Sequence, residues 1–260
     1  MADDEPQIDR TVPHSARIWN YWLGGEDNYE VDREAGDAYI KVFPGIVGMA
    51  KVGRAFLASA VEHLITAEGV RQFLDVGAGL PAADNTHQLA QRLDPDARTV
   101  YVDHDPLVLV QARALLADAP EGTTAFLHAD MRDAPAVLSR AAATLDPARP
   151  VALMMMGCLG HIPDDAEARA TVRNLLAGLP SGSYLALYDG HDANAALNEA
   201  QQDYDDTGAV PYRLRHADQI REFFTGLDFV GPGFGPYENW PGASPDLKGL
   251  PVVCGVARKP

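Results

Sequence analysis

Phe73-Leu74-Asp75-Val76-Gly77-Ala78-Gly79 decides the reading of this chain: an apolar run ends in an acid and two glycines one residue apart. Glycine tolerates the tight turn that must follow such a strand and lets main-chain amides approach a ligand with no Cβ in the way. Val100-Tyr101-Val102-Asp103 repeats the pattern of an apolar run ending in an acid. It lies roughly two dozen residues beyond the glycines, the distance one helix needs to bring the chain back beside its first strand in parallel. Asp103 is then placed to accept hydrogen bonds from the hydroxyls of a ribose.

Downstream of Phe73 short apolar runs alternate with helical patterns, which indicates an α/β fold with a mostly parallel sheet wound on both faces. Strands are expected near 72–76, 99–103, 124–129, 151–156 and 184–188, with helices over 85–93, 107–117, 136–144 and 166–177. Asp105 suits the cap of the second of these helices and Pro106 its first turn. Further on, helices are expected over 193–203 and 217–224, and a strand at 228–230. A loop rich in Gly and Pro covers 231–249, and a last strand over 251–257 returns antiparallel, for seven strands in all. Upstream, Ala16 to Leu23 reads as a short aromatic helix stopped by Gly24-Gly25, followed by helices over 32–43 and 46–67. Residues 1–70 are read as a helical lid or flank on an α/β unit of residues 71–260, the two making one structural domain.

Composition narrows the ligands. The 260 residues suffice for a full core, and the 37 acids against 21 bases give a net charge of -16, which repels a phosphate backbone. The partner expected is a small molecule, not a nucleic acid or a membrane. Cys158 and Cys254 sit in apolar segments and read as core thiols in a reducing, cytoplasmic setting. Met1 to Arg10 has neither the positive start nor the apolar centre of a secretory signal, and no apolar run approaches the ~20 residues that cross a bilayer. No spacing of His, Cys and Asp predicts a metal.

Gly77-Ala78-Gly79-Leu80-Pro81-Ala82 also satisfies the G-x-G-x-x-A form of the dinucleotide fingerprint, so an NAD-linked oxidoreductase is one reading. Three details favour S-adenosylmethionine. Asp75 stands where a dinucleotide turn usually has an apolar residue, and its carboxylate could serve the cofactor's ammonium. Pro81 falls where a pyrophosphate-binding helix would begin, and this cofactor has no pyrophosphate. His128-Ala129-Asp130-Met131 offers an acid to the adenine amino group and a thioether to the ring face.

Ser15-Ala16-Arg17-Ile18-Trp19-Asn20-Tyr21-Trp22-Leu23-Gly24-Gly25-Glu26-Asp27-Asn28-Tyr29, together with Asp75 to Pro81, Asn85-Thr86-His87, Val102 to Pro106 and His161-Ile162-Pro163-Asp164, resembles the bacterial S-adenosylmethionine-dependent methyltransferase family formerly known as a domain of unknown function. The match runs over nearly the whole chain, and its amino-terminal block is the specific part. The resemblance implies a Rossmann-like class I methyltransferase fold and cofactor contacts at Asp75, Gly77, Gly79, Asp103 and Asp130. It implies no substrate. Relatives tend to carry a second histidine where this chain has Gly160, so no histidine pair is expected here.

Methyl transfer requires alignment and exclusion of water, and a base when the nucleophile is a hydroxyl of high pKa. Reacting groups in an open α/β sheet lie beyond the carboxyl ends of the strands. That selects His161 as the first candidate for a base, then Asp189 and His191, with Tyr21 and Asn28 from the lid. Each has a structural alternative. His161 could simply bond a loop carbonyl, Asp192 could cap the helix after Asp189-Gly190-His191, and His87 could belong to the first turn of its helix. Trp19 and Trp22 share a helical face that packs in the core or covers the cofactor, and Met154-Met155-Met156 reads as a buried strand. A binding protein that holds the nucleoside and catalyses nothing is the remaining alternative.

Overall fold

The computed structural model describes residues 9–82, 84–105, 107–108, 110–111 and 122–260. The strands are β1 (Gln72–Val76), β2 (Arg98–Asp103), β3 (Thr124–His128), β4 (Ala152–Met156), β5 (Tyr184–Gly190), β6 (Asp228–Phe229) and β7 (Val252–Arg258). They form one sheet in the order β3-β2-β1-β4-β5-β7-β6. Strands β1 to β5 pair in parallel, and β7 runs antiparallel to both β5 and β6. The expected seven-stranded, mostly parallel sheet with an antiparallel last strand is therefore present. Strand order reverses between β1 and β4, which opens a crevice beyond their carboxyl ends. Register brings those ends level: Val76 pairs with Val102 on one side and Met155 on the other.

Both faces of the sheet are covered, which is why its central strands are apolar at nearly every position. The helices whose full extent lies among the described residues are α1 (Ser15–Trp22), α2 (Glu30–Val42), α3 (Ile46–Thr66), α4 (Thr86–Leu93), α5 (Ala134–Ala141), α6 (Asp165–Ala177), α7 (Ala195–Asp205) and α8 (Ala217–Arg221). Side chains alternate across the sheet. Phe73, Met154 and Tyr188 join Ile18, Trp22, Phe56 and Leu197 in one core, while Leu74, Val102 and Leu153 join Val137, Val172 and Phe223 in the other. The first three helices thus share a continuous core with one face of the sheet.

Caps explain where the elements depart from expectation. Helix α5 starts two residues early because Asp133 accepts the Ala136 amide at 3.1 Å with Pro135 in the first turn. Asn194, not Asp192, caps α7 by accepting the Leu197 amide at 3.0 Å, which moves that helix two residues downstream. The helix expected over 217–224 ends early as a 3-10 turn, Glu222–Phe224. Gly24 ends α1 with φ +79°. Leu107, Val108, Val110 and Gln111 are helical, and Asp105 accepts the Leu107 amide at 2.8 Å. Pro106 and the rest of the helix expected to Ala117 lie outside the described residues. Residues 231–249 hold two 3-10 turns, and Trp240 there packs edge-on against Phe56 with ring centres 5.0 Å apart. Among the described residues no single helix is long and apolar enough to cross a membrane.

Candidate active site

A cleft of about 1800 Å³, mouth included, lies over the carboxyl ends of β1, β2 and β4. The glycine loop forms its floor. Gly77 and Gly79 have φ of +68° and +65°. A Cβ on Gly77 would fall 2.4 Å from Cys158 Cβ, whereas one on Gly79 would meet no protein atom within 4 Å, because that space belongs to the cleft. Asp103 holds the loop in shape: its Oδ2 accepts the Gly79 amide at 2.9 Å and its Oδ1 the Asp105 amide at 3.0 Å. Each carboxylate oxygen keeps a further lone pair for a ligand hydroxyl.

Asp75 is buried at the end of β1 and lines the same cleft. Burial raises its pKa to about 6, against the opposing pull of the Thr86 hydroxyl, which donates to it at 2.5 Å, and of the Arg54 charge. Arg54 reaches the cleft from α3 and donates to the Asp84 carbonyl at 2.5 Å. Helix α1 lines the cleft with Ser15, Ala16, Trp19 and Asn20. His14 Nε2 lies 2.8 Å from Asp105 Oδ2, tying the start of this helix to the loop after β2.

Beside α1 an apolar chamber of about 530 Å³, mouth included, is walled by Trp19, Trp22, Tyr39, Tyr188, Tyr204 and Tyr212. Cleft and chamber meet: Ser15, Trp19, His161 and Tyr188 line both. His161 ends a 3-10 turn after β4, with Nδ1 3.0 Å from the Pro211 carbonyl. A carbonyl only accepts, so this contact assigns the ring proton to Nδ1 and leaves Nε2 as the basic nitrogen. Burial lowers the His161 pKa, only partly offset by that carbonyl, which keeps the ring neutral. Tyr212 stands edge-on to His161 at 5.0 Å and donates its hydroxyl to Asp189, which also accepts the Gly190 amide at 2.9 Å. Burial raises Asp189 to about 6, opposed by the Tyr212 bond and the Arg215 charge.

The structure sorts the residues singled out in the sequence. Asp75, Gly77, Gly79, Asp103, Met131 and His161 line one cleft. Asp130 does not join them; its carboxylate is engaged by Arg132, with Nε at 2.9 and 3.0 Å, two residues along the same turn. Tyr21 and Asn28 are turned to structural work instead of the cavity. Tyr21 donates to Asp37 at 2.6 Å, and Asn28 donates to Asn20 and the Gly25 carbonyl at 3.0 and 2.8 Å. Asp189 lies beneath Tyr212, outside both walls, and His191 Nδ1 only accepts the Ala193 amide at 3.4 Å. His87 pairs with the Tyr101 hydroxyl at 2.8 Å. Trp22 belongs to the core and to the chamber wall, whereas Trp19 faces both cavities. Arg54, Tyr188, Tyr204 and Tyr212 escaped the sequence reading. A signal for Arg54 existed, since Ala50, Gly53, Arg54 and Leu57 all line the cleft at helical spacing. Gly160 makes room for the Tyr212 ring, which would lie 2.4 Å from a Cβ there.

Known proteins share this architecture and more. The crystal structure of a protein from Streptomyces avermitilis, described as belonging to the duf574 family, superposes with a TM-score of 0.92 at 40% identity, covering 98% of this chain and 100% of that one. One from Thermobifida fusca YX, described as a methyltransferase, superposes with a TM-score of 0.89 at 33% identity, covering 100% and 99%. A Mycobacteroides abscessus protein named as an S-adenosyl-L-methionine-dependent methyltransferase is 32% identical over 151 residues, 57% of this chain and 44% of its own length. The family described as S-adenosyl methyltransferase matches residues 1–260. The pyridine-nucleotide reading of the glycine loop gives way to the sulfonium one, and the chain belongs to the S-adenosyl methyltransferase family.

Proposed function

We propose that this chain transfers the methyl group of S-adenosylmethionine to a small molecule held in the inner chamber, with His161 as general base and residues 1–70 supplying the lid. The observation that carries this reading is the junction of the two cavities at Ser15, Trp19, His161 and Tyr188, where a donor in one abuts an acceptor in the other.

When bound, the cofactor supplies a methyl carbon already activated by its sulfonium charge. The chain's own residues fit it. Asp103 receives ribose hydroxyls, and the empty space above Gly79 admits the nucleoside beside the loop. Asp75 and Arg54 present opposite charges in one wall, as the ammonium and carboxylate of an amino acid require. Met131 offers its thioether to the adenine face. Helix α1 excludes water above, and His161 Nε2 takes the acceptor's proton. An acidic surface of net charge -16 favours a small acceptor over a nucleic acid.

The test is release of S-adenosylhomocysteine when the full chain meets S-adenosylmethionine and an extract of small metabolites. Release that depends on the extract and collapses in His161→Gln is expected. No release from any fraction, or release indifferent to His161, would overturn the reading.

A further inference from the structure

We infer that the methyl acceptor is an uncharged, flat aromatic hydroxy compound bearing a second oxygen, which Tyr204 holds by hydrogen bond while His161 receives the reacting hydroxyl. The inference deepens the proposed methyltransferase reading and rests on it.

Two observations set the acceptor's chemistry. The first is the chamber wall: no Asp, Glu, Lys or Arg lies among the described residues that line it, and six aromatic side chains do. An ion moved there would lose its hydration with no countercharge to replace it, whereas a planar ring finds faces and edges to pack on. The second is the fate of the tyrosine hydroxyls. Tyr188 donates to the Met49 carbonyl at 2.7 Å, Tyr212 to Asp189, and Tyr39 to Gln201 Oε1 at 3.1 Å. Gln201 in turn spends its amide on Asp205 at 2.8 Å. The Tyr204 hydroxyl alone of these four is buried with no partner, in a residue 7% exposed. Buried hydroxyls are rarely left so; Tyr204 lines the chamber, and a small shift of its ring on ligand entry brings this hydroxyl to an oxygen of the ligand, which satisfies it.

The transfer balances with the groups in place. The acceptor's O–H bond breaks and its proton passes to His161 Nε2; the oxygen's electron pair forms the new bond to the methyl carbon, and the carbon–sulfur pair stays on sulfur. The products are an aryl methyl ether, S-adenosylhomocysteine and an imidazolium that returns its proton to solvent.

The experiment titrates the full chain, saturated with S-adenosylhomocysteine, with four probes at mildly acidic pH, reading tryptophan fluorescence from Trp19 and Trp22 in the wall. The probes are 7-hydroxycoumarin, which is neutral with two oxygen sites, 2-naphthol, which is neutral with one, 4-hydroxybenzoate, an anion, and tyramine, a cation. Both neutral probes are expected to saturate at least about tenfold more tightly than either ion. Tyr204→Phe is expected to weaken 7-hydroxycoumarin roughly fivefold and leave 2-naphthol and S-adenosylhomocysteine unchanged. Equal or tighter binding of an ion, no saturation by either neutral probe, or a Tyr204→Phe effect that is absent or equal for both neutral probes would overturn the acceptor class. In each of those cases S-adenosylhomocysteine still binds and the methyltransferase reading stands. Failure of S-adenosylhomocysteine itself to bind would sink that reading and this one with it.

Discussion

Asp103 serves two ends with one carboxylate, fixing the glycine loop through the Gly79 amide and facing the cleft. Asp103→Ala is expected to lower affinity for S-adenosylhomocysteine about tenfold or more in calorimetric titration, since bonds to a charged group are among the stronger ones. His161 gives a pH signature. Because burial depresses its pKa below the ordinary 6.5, activity should rise with pH through that lowered value and be flat above it. An acid limb centred at or above the ordinary histidine value would count against His161 as the base. Asp189 gives a stability signature of the other sign. A carboxyl raised on folding from 3.8 to about 6 favours the folded state below its unfolded pKa and loses that contribution as pH rises through about 6. Asp189→Asn should therefore melt a few degrees above the parent at neutral pH and level with it near pH 4; a constant difference would assign the effect to packing. Gly160→Ala drives a methyl into the Tyr212 ring and should cost about 1–3 kcal/mol in a thermal or denaturant melt. Asp75, Asp103 and His161 were legible because each stands at or just after the end of a strand. Tyr212 and Tyr204 were not: Tyr212 meets Asp189 across 23 residues of sequence, and no local pattern records such a contact.

At the scale of elements, α1 belongs both to the cleft wall and to the core. Ile18 and Trp22 are buried with the sheet, and Arg17 and Asp32 form a buried pair at 2.8 Å that locks α1 to α2. The proposed lid is therefore tested by loosening its tie instead of removing it. His14→Ala breaks the 2.8 Å contact to Asp105 and removes the ring nitrogen that accepts the Ala16 amide at the start of α1, so it should weaken cofactor binding about twofold to fivefold, mostly by faster release, and cost about 1 kcal/mol of stability. Unaltered release would leave the contact without a role in closure. The aromatic run before Gly24-Gly25 was readable as a helix and its stop, because glycine in the left-handed region ends helices. The starts of α5 and α7 were misplaced by two residues each, since several Asp and Asn side chains compete for a cap and only folding shows that Asp133 and Asn194 win.

For the whole molecule, alternation of strands and helices with a terminal antiparallel strand carried the fold class, and seven strands are where the apolar runs placed them to within a residue or two. Strand order is a different matter. Nothing in the local pattern of β4 says that it returns beside β1, yet that reversal opens the crevice and makes a cofactor site there possible. The inner chamber was likewise invisible, because its walls come from α1, α2, β5, α7 and the Tyr212 segment together. We propose that Asp75, Asp103 and the glycine loop grip an adenosyl nucleoside with its sulfur turned toward His161, and a crystal structure of the full chain grown with S-adenosylhomocysteine would show it. The ribose is expected on Asp103, the amino-acid end between Asp75 and Arg54, and the sulfur at the junction with the aromatic chamber; a nucleoside bound away from those carboxylates would contradict that placement.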